Sequence, residues 1–483
     1  MMQESRSELG DMTAAEFRRH GYAVIDRIAE YLANPERWPV LPRIEPGAFA
    51  AALPPRAPAE GEPFQAILDD YDRLIPASTT HWNHPGFFAY FSISGSAPGI
   101  LGEALTAALN VNAMLWRSGP AATELEEVTL GWLRQLVDLP PEFDGTINDT
   151  ASSSSLYALA AAREASGLDV RERGIAGRAD VPPLAVYCSE DAHSSIDKAV
   201  VTLGLGLRGV RHIPVDDALR MDVSRLRDAI AADRAAGIRP IAVVATLGTT
   251  STTAVDPVAE IADLCREQDL WLHVDAAYGG AAAVLPEVRP AFAGWERADS
   301  IVLNPHKWLF VPIDCSALYT RRPEVLRRAF SLVPEYLTTS DAAPVRNLMD
   351  YGVSLGRRFR ALKLWFVLRY FGEAGLRARL REHIRLAAQF AAWVDADDRF
   401  ERLAPTPFST VVFRCLPPGV TDEPARDEAN ALLLQRLNES GEVFLSHTRV
   451  RGRYALRLAI GNIRTTERHV ARAWQLAREL APG

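Results

Sequence analysis

The chain reads as an α/β protein with a mostly parallel central sheet covered by helices. Two observations predict this. Four short runs, "LAVYC" (184–188), "IAVVAT" (241–246), "LWLHVDA" (270–276) and "DSIVL" (299–303), are almost continuously apolar and rich in β-branched residues, as strands buried on both faces must be. Helical stretches such as "VAEIADLCREQ" (258–268) alternate with them, the signature of strand–helix–strand units. A third observation sets the scale: 483 residues, 48% of them hydrophobic, exceed what one core needs, so additional lobes are expected.

Residues 1–95 are expected to form an N-terminal helical arm. "TAAEFRRHGYAVIDRIAEYLA" (13–33) spaces Phe17, Tyr22, Ile25, Ile28 and Leu32 at helical intervals behind a candidate N-cap, Thr13. A Pro-rich connection, "EPGAFAAALPPRAPAEGEP", follows, and an arm of this kind must pack on something because alone it buries too little. Residues 96–365 hold the alternating pattern and form the large domain. Residues 366–483 are expected to form a small α+β domain, in which the helical stretch 375–396 leads to two half-buried antiparallel strands, "FSTVVFRCL" (408–416) and "RYALRLAIG" (453–461).

Several classes of function are disfavoured. A formal net charge of −8 argues against nucleic acid as a partner. Cys188, Cys265, Cys315 and Cys415 are far apart and read as reduced thiols of a cytoplasmic protein. "MMQESRSELGDM" lacks the apolar core of a signal peptide, and no apolar run is long enough to span a bilayer. His81 and His84 in "THWNHPG" are an H-x-x-H pair, but the Pro85–Gly86 turn beside them is a poor metal platform, so no metal is expected. "GLGLRG" (204–209) matches G-x-G-x-x-G, yet a helix precedes it and a strand follows it, the reverse of a dinucleotide site.

The informative residues lie at strand ends, where open α/β sheets bind their ligands. Asp275 ends "LWLHV", Lys307 lies just past "SIVL" in "NPHKW", and His193 lies just past "LAVYC". Each alone has an ordinary structural explanation; together they would give one crevice an acid, an amine and a base. "NDTASSSSLYALAAARE" (148–164) places small hydroxyl residues before an alanine-rich helix, whose N-terminus favours an anion such as phosphate. A desolvated lysine has a lowered pKa and can form a Schiff base. Pyridoxal phosphate (PLP) requires such a lysine, a carboxylate on its pyridinium nitrogen, a phosphate cup and something flat over the ring. Lys307, Asp275, residues 150–152 and His193 supply one of each.

With "HVDAAYGG", "AHSSIDKA", "ATLGTTSTTAVDP", "HPGFFAYF" (84–91), "SGPAATELE" (118–126) and "LGRRFRALKLWFVLR" (355–369) added, the chain resembles, nearly end to end, the group II PLP-dependent decarboxylases, and among them the aromatic L-amino-acid decarboxylases. The resemblance implies PLP fold type I, an obligate homodimer with the N-terminal arm on its partner, and a site at the subunit interface. It makes Lys307 the cofactor lysine, Asp275 the pyridinium partner and Ala277 the small residue on one ring face. His193 is then the histidine on the other face, also touching the substrate carboxylate. Thr150, Ala151, Ser152 and Asn304 resemble the phosphate contacts, Thr246 a residue beside cofactor and histidine, and His306 a support for the phosphate region. Within "AFSLVPEYLTTSDAAPVRNLMDYG" (329–352), Tyr336 matches the catalytic tyrosine of a mobile loop that protonates the α-carbon after carbon dioxide leaves.

Retention of both His193 and Tyr336 implies plain decarboxylation, since members that oxidise to an aldehyde typically replace one of them. Trp82, Tyr90 and Phe91 resemble the aromatic wall of the substrate pocket. Ile93 stands where animal members use a threonine on catechol hydroxyls, Asn112 and Met114 where an isoleucine and a phenylalanine enter from the partner, and Ile313 where another phenylalanine lies. Gly356 stands where plant members pair glycine with indolic substrates and serine with phenolic ones. The expected substrate is therefore tryptophan, phenylalanine or tyrosine rather than DOPA. The alternatives are an aldehyde synthase, a decarboxylase of non-aromatic amino acids and a non-catalytic binding homologue. An acidic substrate would require a cation that 82–93 and 110–116 do not offer, apart from the adjacent Arg117, and a non-catalytic homologue would be expected to have lost Lys307, Asp275 or Tyr336.

Overall fold

The structure is a computed structural model that describes residues 11–332 and 345–482. Helix Ala14–Ala33 begins where the sequence places it. Thr13 Oγ1 accepts from the Glu16 amide at 3.2 Å, and Glu16 reaches back to the Thr13 amide at 2.9 Å, a reciprocal capping box. None of its residues is buried, and Phe17 and Tyr22 are about two-thirds exposed.

The large sheet comprises β1 (Asp144–Asn148), β2 (Leu184–Ser189), β3 (Val210–Ile213), β4 (Arg239–Thr246), β5 (Trp271–Asp275), β6 (Ser300–Leu303) and β7 (Ser316–Thr320) in the order β1-β7-β6-β5-β4-β2-β3. Strands β3, β2, β4, β5 and β6 are parallel; β7 is antiparallel to both β6 and β1. β1 therefore points the same way as β6. The carboxyl ends of β1, β2, β4, β5 and β6 all open at one edge. Apolar burial on both faces explains why the strands carry no polar alternation: β2 and β5 are buried throughout.

The G-x-G-x-x-G stretch follows helix Ser195–Thr202 and precedes β3, with Gly204 and Gly206 at φ of 80° and 70°. It is a helix-to-strand turn in the left-handed region, as its context predicts. His81 commits both ring nitrogens, to the Tyr31 hydroxyl and the Pro76 carbonyl at 3.0 Å each, while His84 Nδ1 accepts from the Gly86 amide.

A second, antiparallel sheet, β10-β11-β9-β8, is built from β8 (Phe400–Arg402), β9 (Thr410–Cys415), β10 (Ser446–Val450) and β11 (Arg453–Ala459). It packs with helices Glu423–Glu439 and Glu467–Leu480 around its own apolar core. Helix Ala361–Asp395 joins the two sheets. It starts well before the expected 375, runs across the expected change of pattern at 366, and leaves helical geometry at Gly372 (φ 60°). The aromatic run Trp365–Phe371 conceals this continuity, because its residues do not trace a single helical stripe.

Candidate active site

Five strand ends converge on one cavity of about 190 Å³. It is lined by Phe91, Thr150, Ala151, Ser152, His193, Thr246, Gly248, Thr250, Asp275, Ala277, Tyr278, Asn304, His306 and Lys307. Every residue assigned to the cofactor from the sequence is on that wall. The register explains how: Thr246 of β4 pairs with Asp275 of β5, and Asp275 with Val302 of β6, two residues before Asn304. Asn304 then caps the short helix Pro305–Trp308, which carries Lys307.

Lys307 is one of three lysines in the chain, with Lys198 and Lys363. Lys198 is exposed, and Lys363 is buried against Glu103 at 3.0 Å. Lys307 alone faces the cavity. Burial pushes its ammonium below the usual lysine range, Asp275 opposes that shift, and the charge of Arg457 adds to it. Its Nζ lies 5.2 Å from the centre of the Phe91 ring. Asp275 Oδ1 accepts from the Ala277 amide at 3.0 Å, which fixes the carboxylate at the strand end.

His193 Nδ1 accepts from the Ser195 amide at 3.2 Å and lies 2.8 Å from Ser195 Oγ. Its proton is therefore on Nε2. Desolvation lowers its pKa, with Asp275 acting in the opposite sense and the Lys307 and Lys198 charges reinforcing the shift. His306 Nδ1 likewise accepts from the Cys315 amide at 2.9 Å, and burial, aided by the Lys307 charge, takes its pKa to about 4.

Helix Ala151–Ala165 points its N-terminus into the cavity. Thr150 is its N-cap residue, but no side chain caps it, so its first amides remain available to an anion. Two buried polar atoms on the same wall, Thr246 Oγ1 and Asn304 Oδ1, have no hydrogen-bond partner among the described residues. Such atoms are costly unless a ligand satisfies them. An amine, a carboxylate, a neutral histidine, free helix amides and unsatisfied polar atoms are the set that PLP requires, and the residues fit that cofactor.

Two features escaped the sequence reading. Phe91, Tyr278 and Trp308 form a stack, with ring centres 3.7 and 4.8 Å apart, that backs the cavity. Beyond Phe91 lies Arg457, its Cζ 4.4 Å from that ring. Arg457 is 3% exposed, donates to the carbonyls of Tyr90 and Ser251, and has an Nη2 without an acceptor among the described residues. Burial lowers its pKa to about 10. The signal was available: a cation inside the apolar run of β11, the same anomaly that singles out Lys307.

Of the substrate residues, only Phe91 lines this cavity. Trp82 and Tyr90 stack at 5.9 Å, and Ile313 is exposed. Asn112, Met114 and Gly356 form a separate patch. Asn112 Oδ1 accepts from the Arg357 amide at 3.0 Å, its Nδ2 lies 3.2 Å from Met114 Sδ, and a Cβ on Gly356 would come 3.9 Å from that Nδ2. Tyr336 lies outside the described residues.

Comparison with known proteins agrees with this chemistry. The model of the pyridoxal-dependent decarboxylase conserved domain matches residues 46–416. A tryptophan decarboxylase of Camptotheca acuminata is 40% identical over 99% of this chain and 96% of its own. A phenylacetaldehyde synthase of a Rosa hybrid cultivar is also 40% identical, over 96% of this chain and 94% of its own. The crystal structure of Oryza sativa TDC with PLP and tryptamine superposes with a TM-score of 0.94 at 38% identity, covering 98% of this chain and 99% of that one. The chain belongs to the group II pyridoxal-phosphate-dependent decarboxylases, close to the aromatic amino-acid decarboxylases of plants.

Proposed function

We propose that the protein decarboxylates an aromatic L-amino acid, tryptophan, phenylalanine or tyrosine ahead of DOPA, to the arylalkylamine and carbon dioxide. The observation that carries this reading is the convergence of Lys307, Asp275 and His193 on one cavity whose wall continues into the Phe91–Tyr278–Trp308 stack. PLP, when bound, supplies the electron sink for the pair left by the departing carboxylate.

The chain's own residues do the rest. Lys307, with its depressed pKa, would hold the cofactor covalently. Asp275 would keep a proton on the ring nitrogen. His193 would hold the substrate carboxylate through its Nε2–H, and Tyr336 would donate a proton to the α-carbon. The amides of residues 151 and 152, with Thr150, Asn304 and His306, anchor the phosphate.

The active form is a homodimer. Phe17, Tyr22 and Ile25 on helix Ala14–Ala33, and Leu101, Leu105 and Leu109 on helix Ala97–Leu109, are apolar and 44–67% exposed in the isolated chain, which suits burial against a second copy. Asn112, Met114 and Gly356 then complete the partner's substrate pocket, which accounts for their distance from this chain's own cavity. The protein acts in the cytoplasm.

Incubation of PLP-loaded protein with tryptophan, phenylalanine, tyrosine, DOPA and glutamate, followed by mass spectrometry, tests the reading. An aromatic amine is expected. An aldehyde with peroxide would place the protein with the aldehyde synthases and refute the inference from His193 and Tyr336. An amine from glutamate alone would refute the aromatic pocket.

A further inference from the structure

The serine run 152–155 raises a question that phosphate binding does not answer, because its residues face different ways. Ser152 lines the cavity, whereas Ser154 and Ser155 are fully buried against the sheet. Ser154 Oγ lies 3.1 Å from Asn148 Nδ2 and 2.9 Å from Ser316 Oγ, and Ser155 Oγ lies 3.1 Å from His273 Nε2.

We propose that His273 is a positioning residue for the cofactor: it fixes helix Ala151–Ala165, and with it the phosphate-facing amides, in register with Asp275. The proposal rests on PLP occupying the Lys307 cavity. Trp271, His273 and Asp275 alternate along β5, so all three side chains lie on one face of the sheet. That face packs against helix Ala151–Ala165.

The hydrogen bonds between them form one continuous chain from β5 to the helix. The indole Nε1–H of Trp271 can only donate, and its acceptor is Ser300 Oγ at 2.9 Å. Ser300 Oγ also lies 2.9 Å from His273 Nδ1. The other ring nitrogen, Nε2, lies 3.1 Å from Ser155 Oγ on the helix. Every member of the chain is at most 4% exposed. The imidazole is neutral, its pKa taken to about 4 by burial, so the relay carries no charge that would need a counterion.

Satisfying Ser155 does not require this histidine, since a helical serine can bond the carbonyl four residues back. Apolar packing does not fix the register either. The sheet-facing side of the helix is largely alanine, with Ala158, Ala161 and Ala162 in contact with the sheet, and such a smooth surface resists sliding poorly. The polar ties supply the missing register: Ser154 to β1 and β7, Ser155 to β5 and β6. Sliding of the helix would shift the amides of Ala151 and Ser152 relative to Asp275, so the phosphate and the pyridinium nitrogen of one rigid cofactor would no longer both be met.

The test is a comparison of PLP with pyridoxal, which lacks the phosphate, titrated into apo protein and followed by the visible absorbance of the lysine-bound aldehyde. Ser155→Ala, His273→Phe and the double variant are compared with the wild type. Each single variant is expected to weaken PLP about tenfold while leaving pyridoxal within about twofold, and the double variant to add little to either single one. His273→Gln, which can still donate to Ser155, is expected to recover part of the loss. Equal weakening of PLP and pyridoxal, or an unchanged ratio in Ser155→Ala, would overturn the relay while leaving the cofactor site intact. No absorbance from the wild type with either aldehyde would overturn the cofactor site itself. If His273→Phe does not fold, Ser155→Ala, which removes one oxygen atom, decides the matter alone.

Discussion

Mild acid should destabilise the apo protein. His84, His273, His306 and His383 are each 5% exposed or less, and burial takes each to a pKa of about 4. Unfolded, each titrates near 6.5, so between those values the unfolded chain binds more protons and stability falls as pH drops. Each histidine then costs about 1.3 kcal/mol between pH 7.5 and 5.5, and the four together about 5 kcal/mol. Asp256 acts in the opposite sense. Burial raises its pKa to about 6, so the folded state takes up its proton first and recovers about 1 kcal/mol. The net loss of about 4 kcal/mol is a large part of the 5–15 kcal/mol typical of a folded protein. Urea unfolding of apo protein at the two pH values measures it. His383→Gln, whose amide oxygen can still accept from Trp308 Nε1, should reduce the drop by about 1 kcal/mol. A stability unchanged from pH 7.5 to 5.5, or the same drop in His383→Gln, would refute the reasoning.

Three further outcomes are expected. Lys307→Ala should abolish both the visible band with PLP and amine formation, with a circular dichroism spectrum like the wild type. Gly356→Ser should leave stability within about 0.5 kcal/mol, because the nearest atom to a new Cβ is 3.9 Å away, while moving the kcat/KM ratio of tryptophan to tyrosine about tenfold towards tyrosine. Arg457→Met removes the cation behind Phe91, so the Lys307 pKa should rise, read from the pH dependence of Lys307 acylation by peptide mass spectrometry; Arg457→Lys should keep it low.

Much of this architecture was legible because strand ends in parallel sheets follow from composition. Apolar, β-branched runs located β2, β4, β5 and β6 to within about two residues, and Asp275, Lys307 and His193 at or beyond the ends of three of them marked the cavity. What stayed hidden depends on contacts distant in sequence. The serines of 152–155 are identical as letters, and only the packed helix shows Ser152 on the cavity wall and Ser154 and Ser155 tied to the sheet. Arg457 comes from a strand of the small sheet, 150 residues after Lys307, and the two come together only around Phe91. The patch of Asn112, Met114 and Gly356 is assembled by the bridge between Asn112 and Arg358, which no local pattern announces.

The most direct test of the central claim is to load the protein with PLP, reduce it with borohydride, digest it and locate the pyridoxyl group by mass spectrometry. The chain offers only Lys198, Lys307 and Lys363 as side-chain attachment points, so the answer is close to binary. The account predicts stoichiometric label on Lys307. Label on Lys198 or Lys363, or none on a protein that binds PLP, would contradict it.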